Sequence, residues 1–276
     1  MTATDLASGK DHTDENFPVA SVLIAKKHRP VIMAFYRFAR AADDVADHAT
    51  AAPEQKLALL EAMRASVTGE STASPEGTAL RAALAAHTIT NQHALDLLEA
   101  FRRDVTKNRY GDWDALMDYC RYSAMPVGRF VLDVHGESRD TWPANDALCA
   151  ALQVINHLQD CAKDYREIDR VYIPSDVLPD PSVLAQPKAT PALRAVIAGL
   201  ARRTQGLLDT ARPFAGQIRN RRLALEVSVI QTLAEDLTAR LLVRDPLSER
   251  VHHRKTEMPL LLLRALSRFA FRGFTK

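Results

Sequence analysis

Two runs of this 276-residue chain carry carboxylates at intervals that a helix would turn to one side. In the first, which reads Tyr36-Arg37-Phe38-Ala39-Arg40-Ala41-Ala42-Asp43-Asp44-Val45-Ala46-Asp47, a period of 3.6 residues puts Tyr36, Arg40, Asp43 and Asp47 on one face, with Asp44 beside them. In the second, Gln153, Asn156, Asp160 and Asp164 share a face of an otherwise apolar stretch. Carboxylates crowded on one face repel each other, so a folded helix holds them best where something cationic sits. The first run alone also reads as a solvated helix face with an internal Arg40–Asp44 pair. Its repetition on a second helix points to chemistry, because two such stripes facing each other would make an oxygen-lined cleft. Hard divalent ions such as Mg²⁺ take oxygen ligands and bridge carboxylates to substrate phosphates. A pyrophosphate would complete that shell, with Arg40, Lys163 and Arg170 as candidate counter-charges.

The elements that must position these residues are helices. Only 10 Gly in the chain, with much Ala and Leu, favours helix throughout, and no alternating strand pattern of useful length occurs. Asp14–Phe17 before Pro18 looks like a helix start. An apolar helical stretch then runs from about Val19 to His48, jointed around Lys27–Pro30. A second helix opens at Pro53–Glu54 and runs to about Val67, and Thr68–Gly77 reads as a polar loop. Helical periodicity returns over Leu80–Ala86, Leu95–Arg103 and the segment around Leu116–Cys120, then over Ala124–Val134 after a Met125-Pro126 break. Trp142-Pro143 starts a long helix to about Arg166, and five prolines make Ile173–Pro191 a loop. Long helical patterns follow at about Ala192–Gln217 and Arg219–Arg244, with a last one from about Met258. The expectation is one all-α domain over residues 1–276, with 1–13 a flexible tail.

The two aspartate stripes resemble the paired motifs of the squalene/phytoene synthase family. Three further blocks carry the resemblance: Tyr119-Cys120-Arg121-Tyr122-Ser123-Ala124, Pro126-Val127-Gly128-Arg129 and Asp169-Arg170-Val171-Tyr172-Ile173-Pro174. It extends from about Glu15 to Lys255. The resemblance implies an isoprenoid synthase-type helical bundle around a central cavity. It implies that Asp43, Asp47, Asn156, Asp160 and Asp164 hold Mg²⁺ and diphosphate, and that Tyr36, Arg40, Gln153, Arg170 and Tyr172 line the same end of the cavity. Glu15–Ser21 and the block ending at Pro174 look like the family branch that serves bacterial hopanoid synthesis. That branch ionises presqualene diphosphate, releases diphosphate and lets water capture the rearranged cation, giving hydroxysqualene without NADPH. Three departures from the condensing relatives fall near the reacting end: Ala124-Met125-Pro126, Gln159 and Arg121. Arg121, Tyr122 and Ser123 are therefore candidates to place the water, and Phe17, Phe35, Phe38 and Phe130 candidates to line an apolar tunnel. A head-to-head condensing synthase and a catalytically silent pathway scaffold are the rival readings.

The remaining signals are plainer. His157, next to the acidic stripe, reads as a packed histidine before a base or a metal neighbour, and His252-His253-Arg254-Lys255 as a basic surface turn before a metal site, from which Lys255 could reach a diphosphate. Cys120, Cys149 and Cys161 are too few for a disulfide framework and lack a CxxC spacing, which suits a reducing compartment. A formal charge of +2 gives no electrostatic reason to expect nucleic acid, and no nucleotide-binding fingerprint is present. The N-terminus lacks a signal-peptide core and no run is long enough to span a bilayer. The chain is thus expected in the cytoplasm. Arg264, Arg268, Arg272 and Lys276 beside Leu and Phe suggest peripheral contact with the inner face of the membrane, coupled to other squalene-pathway enzymes.

Overall fold

Proline and its capping neighbours set most helix starts in this protein. The computed structural model describes residues 24–272, with side chains to residue 270. Helix α1 (Arg29–Asp47) begins with Pro30 in its first turn, where the missing N–H costs no bond. The Arg29 guanidinium donates to the Ile24 carbonyl at 3.0 Å, closing the turn that precedes the helix. Among the described residues the expected helical stretch starts at its joint, and the part before residue 24, including Phe17, lies outside them.

Two compact units follow from the fold: residues up to Lys107 with Tyr122–Glu137, and Asn108–Arg121 with Ser138 onward. In the first, α1 packs on α2 (Pro53–Thr68), α3 (Pro75–His87) and α4 (Gln92–Thr106), and α4 also packs on α6 (Met125–Val134). Phe35, Phe38, Val45, Leu60, Leu97 and Phe130 form its core. The loop expected up to Gly77 is shorter than that, because Ser74 caps α3: its hydroxyl accepts the Gly77 N–H at 3.1 Å and Pro75 supplies the first turn. Gly77 then approaches α2 so closely that a Cβ there would lie 2.8 Å from Ser66 Cβ and 2.9 Å from the Met63 carbonyl oxygen.

The second unit is built on α7 (Trp142–Ile168), which packs against α8 (Pro191–Ala211), which in turn packs against α10 (Arg221–Val243). Most of α5 (Trp113–Ser123) also belongs here, as does α11 (Met258–Arg272), which lies on α10. One expected helix is divided. The pattern from Ala192 to Gln217 stops at Ala211, and Phe214–Gln217 forms a separate single turn, α9. Pro213 lacks the N–H that would continue the ladder, so the helix ends there although Arg212 still holds helical angles, with φ −50° and ψ −41°. Asn220 restarts the chain as α10, its side-chain oxygen accepting the N–H groups of Arg222 and Leu223 at 3.1 and 3.2 Å. Among the described residues there is no strand, only one isolated bridge between Arg109 and Val171. The all-α expectation holds.

Candidate active site

Helix α1 carries the first acidic stripe on the side away from its core. Phe35, Phe38, Ala42, Val45 and Ala46 are buried, whereas Tyr36, Arg40, Asp43 and Asp47 are half-buried. The guanidinium of Arg40 reaches Asp43 at 3.0 Å and the buried Asp44 at 2.8 Å. The internal Arg40–Asp44 pair thus exists, and it does not exclude Asp43 from the same cation. Asp47, Asp44 and Asp104 all bear negative charge on Asp43 against the one guanidinium of Arg40. The Asp43 carboxyl is pushed up to about 7, by desolvation, by Asp47 and more weakly by Asp44 and Asp104, while Arg40 opposes the rise. With 38% of the Asp43 side chain open to solvent, like-charge repulsion contributes more to that rise than desolvation does. A carboxylate in that position is short of positive charge and open to receive it.

Asp104, buried near the end of α4, was not among the residues singled out from sequence. Nothing in its local spacing marks it; only the packing of α4 on α1 brings it into the field of Asp43. Arg103, its neighbour, lies over the Tyr122 ring at 4.3 Å. Phe35 and Phe130 stack at 3.9 Å, and with Phe38 they are core side chains of the first unit. The expectation that these three line a tunnel is not supported by their burial. The Ser123 hydroxyl is buried and makes no hydrogen bond among the described residues, and Arg121 is exposed.

Helix α7 presents Gln153, Asn156, Asp160 and Asp164 as a half-buried stripe, while Val154, Ile155, Leu158 and Cys161 are buried. Lys163, a candidate counter-charge, is exposed. Gln159 donates from Nε2 to the Val251 carbonyl, which ties the following residue to this helix. His252 consequently lies half-buried in the field of Asp160, and burial lowers its pKa. His253 places Nε2 3.0 Å from the Asp236 carboxylate. The expected surface turn is therefore only half right: Arg254 and Lys255 are exposed, and the two histidines are packed.

The Asp169–Pro174 block is held by a turn in the left-handed region. Asp169 ends α7 at φ 49°, which an Asp tolerates better than most residues, and Arg170 N–H returns to the Asp164 carbonyl at 3.1 Å. The turn delivers Arg170 and Tyr172 into a buried aromatic cluster. Tyr172 stacks on His157 with centroids 3.4 Å apart, and its hydroxyl lies 3.3 Å from that of Tyr119. Arg170 donates to the Tyr172 hydroxyl at 3.4 Å. His157 is pushed down to about 3 by burial and then by Arg170, so it stays neutral and packed, as expected.

The donor set suits a hard divalent ion. Among the described residues no three His, Cys, Asp or Glu side chains converge on one metal position. Mg²⁺ does not ask for a complete protein cage, since it retains waters and takes one or two carboxylates together with substrate phosphates. Each stripe offers a pair of carboxylates one turn apart, and the charge-starved Asp43 fits such a partner.

The squalene/phytoene synthase family pattern matches residues 10–257, across both units. The chain belongs to the squalene/phytoene synthase family. Members of this family process prenyl diphosphates and generally depend on a divalent metal. The chain is 58% identical to the hydroxysqualene synthase of Zymomonas mobilis, over 93% of its own length and 89% of that protein's. It is 53% identical to the hydroxysqualene synthase of Rhodopseudomonas palustris, over 96% and 92% of the two chains. The crystal structure of squalene synthase HpnC from Alicyclobacillus acidocaldarius aligns with a TM-score of 0.73 at 32% identity, covering 87% of this chain and 91% of that one. The fold is accordingly the helical, isoprenoid synthase-type fold of this family.

Proposed function

We propose that this squalene/phytoene synthase family member is a hydroxysqualene synthase that converts presqualene diphosphate and water to hydroxysqualene and diphosphate. The observation that carries this reading is identity above one half, over nearly the whole length, to two proteins of that activity. The stripes on α1 and α7 support it chemically. Mg²⁺, the ion we assign, supplies charge neutralisation of the leaving diphosphate when bound. Asp43 and Asp47 on one helix, and Asn156, Asp160 and Asp164 on the other, are the residues that would hold it. Arg40 and Arg170 add fixed positive charge toward the departing oxygens, with Tyr36, Gln153 and Tyr172 as hydrogen-bonding neighbours. In the reaction the carbon–oxygen bond to diphosphate breaks with both electrons leaving on oxygen. Water then forms a new carbon–oxygen bond to the rearranged cation and gives up one proton. We assign the placing of that water to the Arg121–Ser123 segment, where the buried Ser123 hydroxyl has no hydrogen-bond partner among the described residues.

The two units act in this proposal as one catalytic domain, working in the cytoplasm at the inner face of the membrane beside other squalene-pathway enzymes. The purified protein should turn over presqualene diphosphate with Mg²⁺ and lose that activity in EDTA. Formation of presqualene diphosphate or phytoene from prenyl diphosphates, with presqualene diphosphate itself left unused, would make it a condensing synthase instead. No turnover of either substrate would leave the scaffold reading.

A further inference from the structure

Helix α11 is apolar on the side that should be polar. It rests on α10 through Leu261 and Ala265, which are 7% and 0% exposed, and the Arg268–Glu235 ion pair fastens the same side. At about 100° per residue the opposite side carries Leu260, Leu262, Leu263, Leu266 and Ala270, interrupted only by Ser267. Those four leucines are 72%, 39%, 64% and 47% exposed. A surface helix ordinarily turns charged residues outward, and one that is apolar on both sides has a second apolar environment to meet.

Charge and area select the occupant. From Met258 to Ala270 the helix has no acidic residue. The nearby carboxylates of Glu235 and Glu257 are engaged by Arg268 and Arg240. The exposed cations Arg250, Arg254 and Lys255 lead into the helix, and the exposed Arg264 flanks its leucines. That combination complements an anionic lipid surface. The outward face of a 15-residue helix is about 22 Å long and about 10 Å wide. Its roughly 220 Å² falls well short of the ~800 Å² per partner of a stable protein interface. Lipid docking asks for no such area.

We propose that the outward leucine face of α11 is the surface on which this protein docks to an anionic phospholipid bilayer. The proposal rests on the reading above, in which substrate and product are both long-chain hydrocarbons that partition into lipid. The test uses the full chain with extruded vesicles of phosphatidylcholine, with and without phosphatidylglycerol. The wild type should co-sediment with the anionic vesicles and much less with the neutral ones. Leu260→Ser/Leu263→Ser/Leu266→Ser should weaken that binding at least about tenfold. Arg250→Gln/Arg264→Gln should weaken it and flatten its salt dependence. Because the three leucines face solvent, the triple variant should retain its melting temperature and its turnover of detergent-dispersed substrate. Should it nevertheless melt early, Leu260→Ser alone supplies the comparison. A wild type that stays in the supernatant overturns the proposal, and so does a leucine variant that binds like wild type. A dimer that the leucine changes dissociate, without vesicle binding, overturns it in favour of contact between copies. Absence of turnover in detergent by a protein that still binds vesicles counts against the catalytic reading alone.

Discussion

At the scale of single residues, the proposed metal site draws on carboxylates, of which Asp43 is left short of positive charge by the fold. Asp43 has three acidic neighbours within its field and one guanidinium, and Asp160 has His252 beside it. Asp43→Asn and Asp160→Asn should each lower turnover by roughly 10²-fold or more, the order expected for losing one preorganised electrostatic group. Their far-UV circular dichroism should match wild type, because neither side chain belongs to the buried cores. Turnover within a fewfold of wild type would remove the carboxylate from the proposed metal site. The cysteines behave in the opposite way. Burial pushes the Cys120 and Cys161 thiols up to about 12, and the thiolate is the reactive form. Both should therefore resist alkylation in the native protein at pH 8 and react only as the pH nears 12 or the chain unfolds. Mass spectrometry after maleimide treatment should find at most one label, at the half-buried Cys149. The pairing of Asp43 with Asp47 was legible from spacing alone, since i,i+4 positions share a face whatever surrounds them. Asp104 and His252 were not, because distant segments bring them to the stripes.

At the scale of elements, the sequence spoke most clearly where a single residue controls the backbone. Pro53 and Pro143 each stand in the first turn of a helix that begins where expected, and Pro30 opens α1 at what the sequence offered only as a joint. The division at Pro213 shows how periodicity misleads: Leu208, Ala211, Phe214 and Ile218 keep an apolar face on both sides of the break, so the pattern runs on where the hydrogen-bond ladder cannot. Close approach of helices is harder still to read, and Gly77 is the example. Gly77→Ala would press a methyl group into the Met63 carbonyl and the Ser66 side chain, of which the carbonyl cannot rotate away. The substitution should cost about 1–3 kcal/mol of stability. Urea denaturation should show a lower midpoint at unchanged slope. An unchanged midpoint would mean that α2 and α3 separate freely, contrary to the packing seen.

At the scale of the whole molecule, helical class and family membership were both visible in the chain. The Ala-rich, Gly-poor composition and the absence of alternating strands leave a helical architecture, and the family pattern extends through both compact units. The exposed leucine face of α11 was only half legible, because the sequence gives its basic residues but not which side rests on α10. The fate of the cation is a property of the complete catalytic chain, and it divides a hydroxysqualene synthase from a reductive squalene synthase. The decisive measurement supplies presqualene diphosphate and Mg²⁺ in H₂¹⁸O, with and without NADPH. Hydroxysqualene carrying ¹⁸O, in a yield that NADPH does not change, is the outcome this account predicts. Squalene formed only when NADPH is present would contradict it.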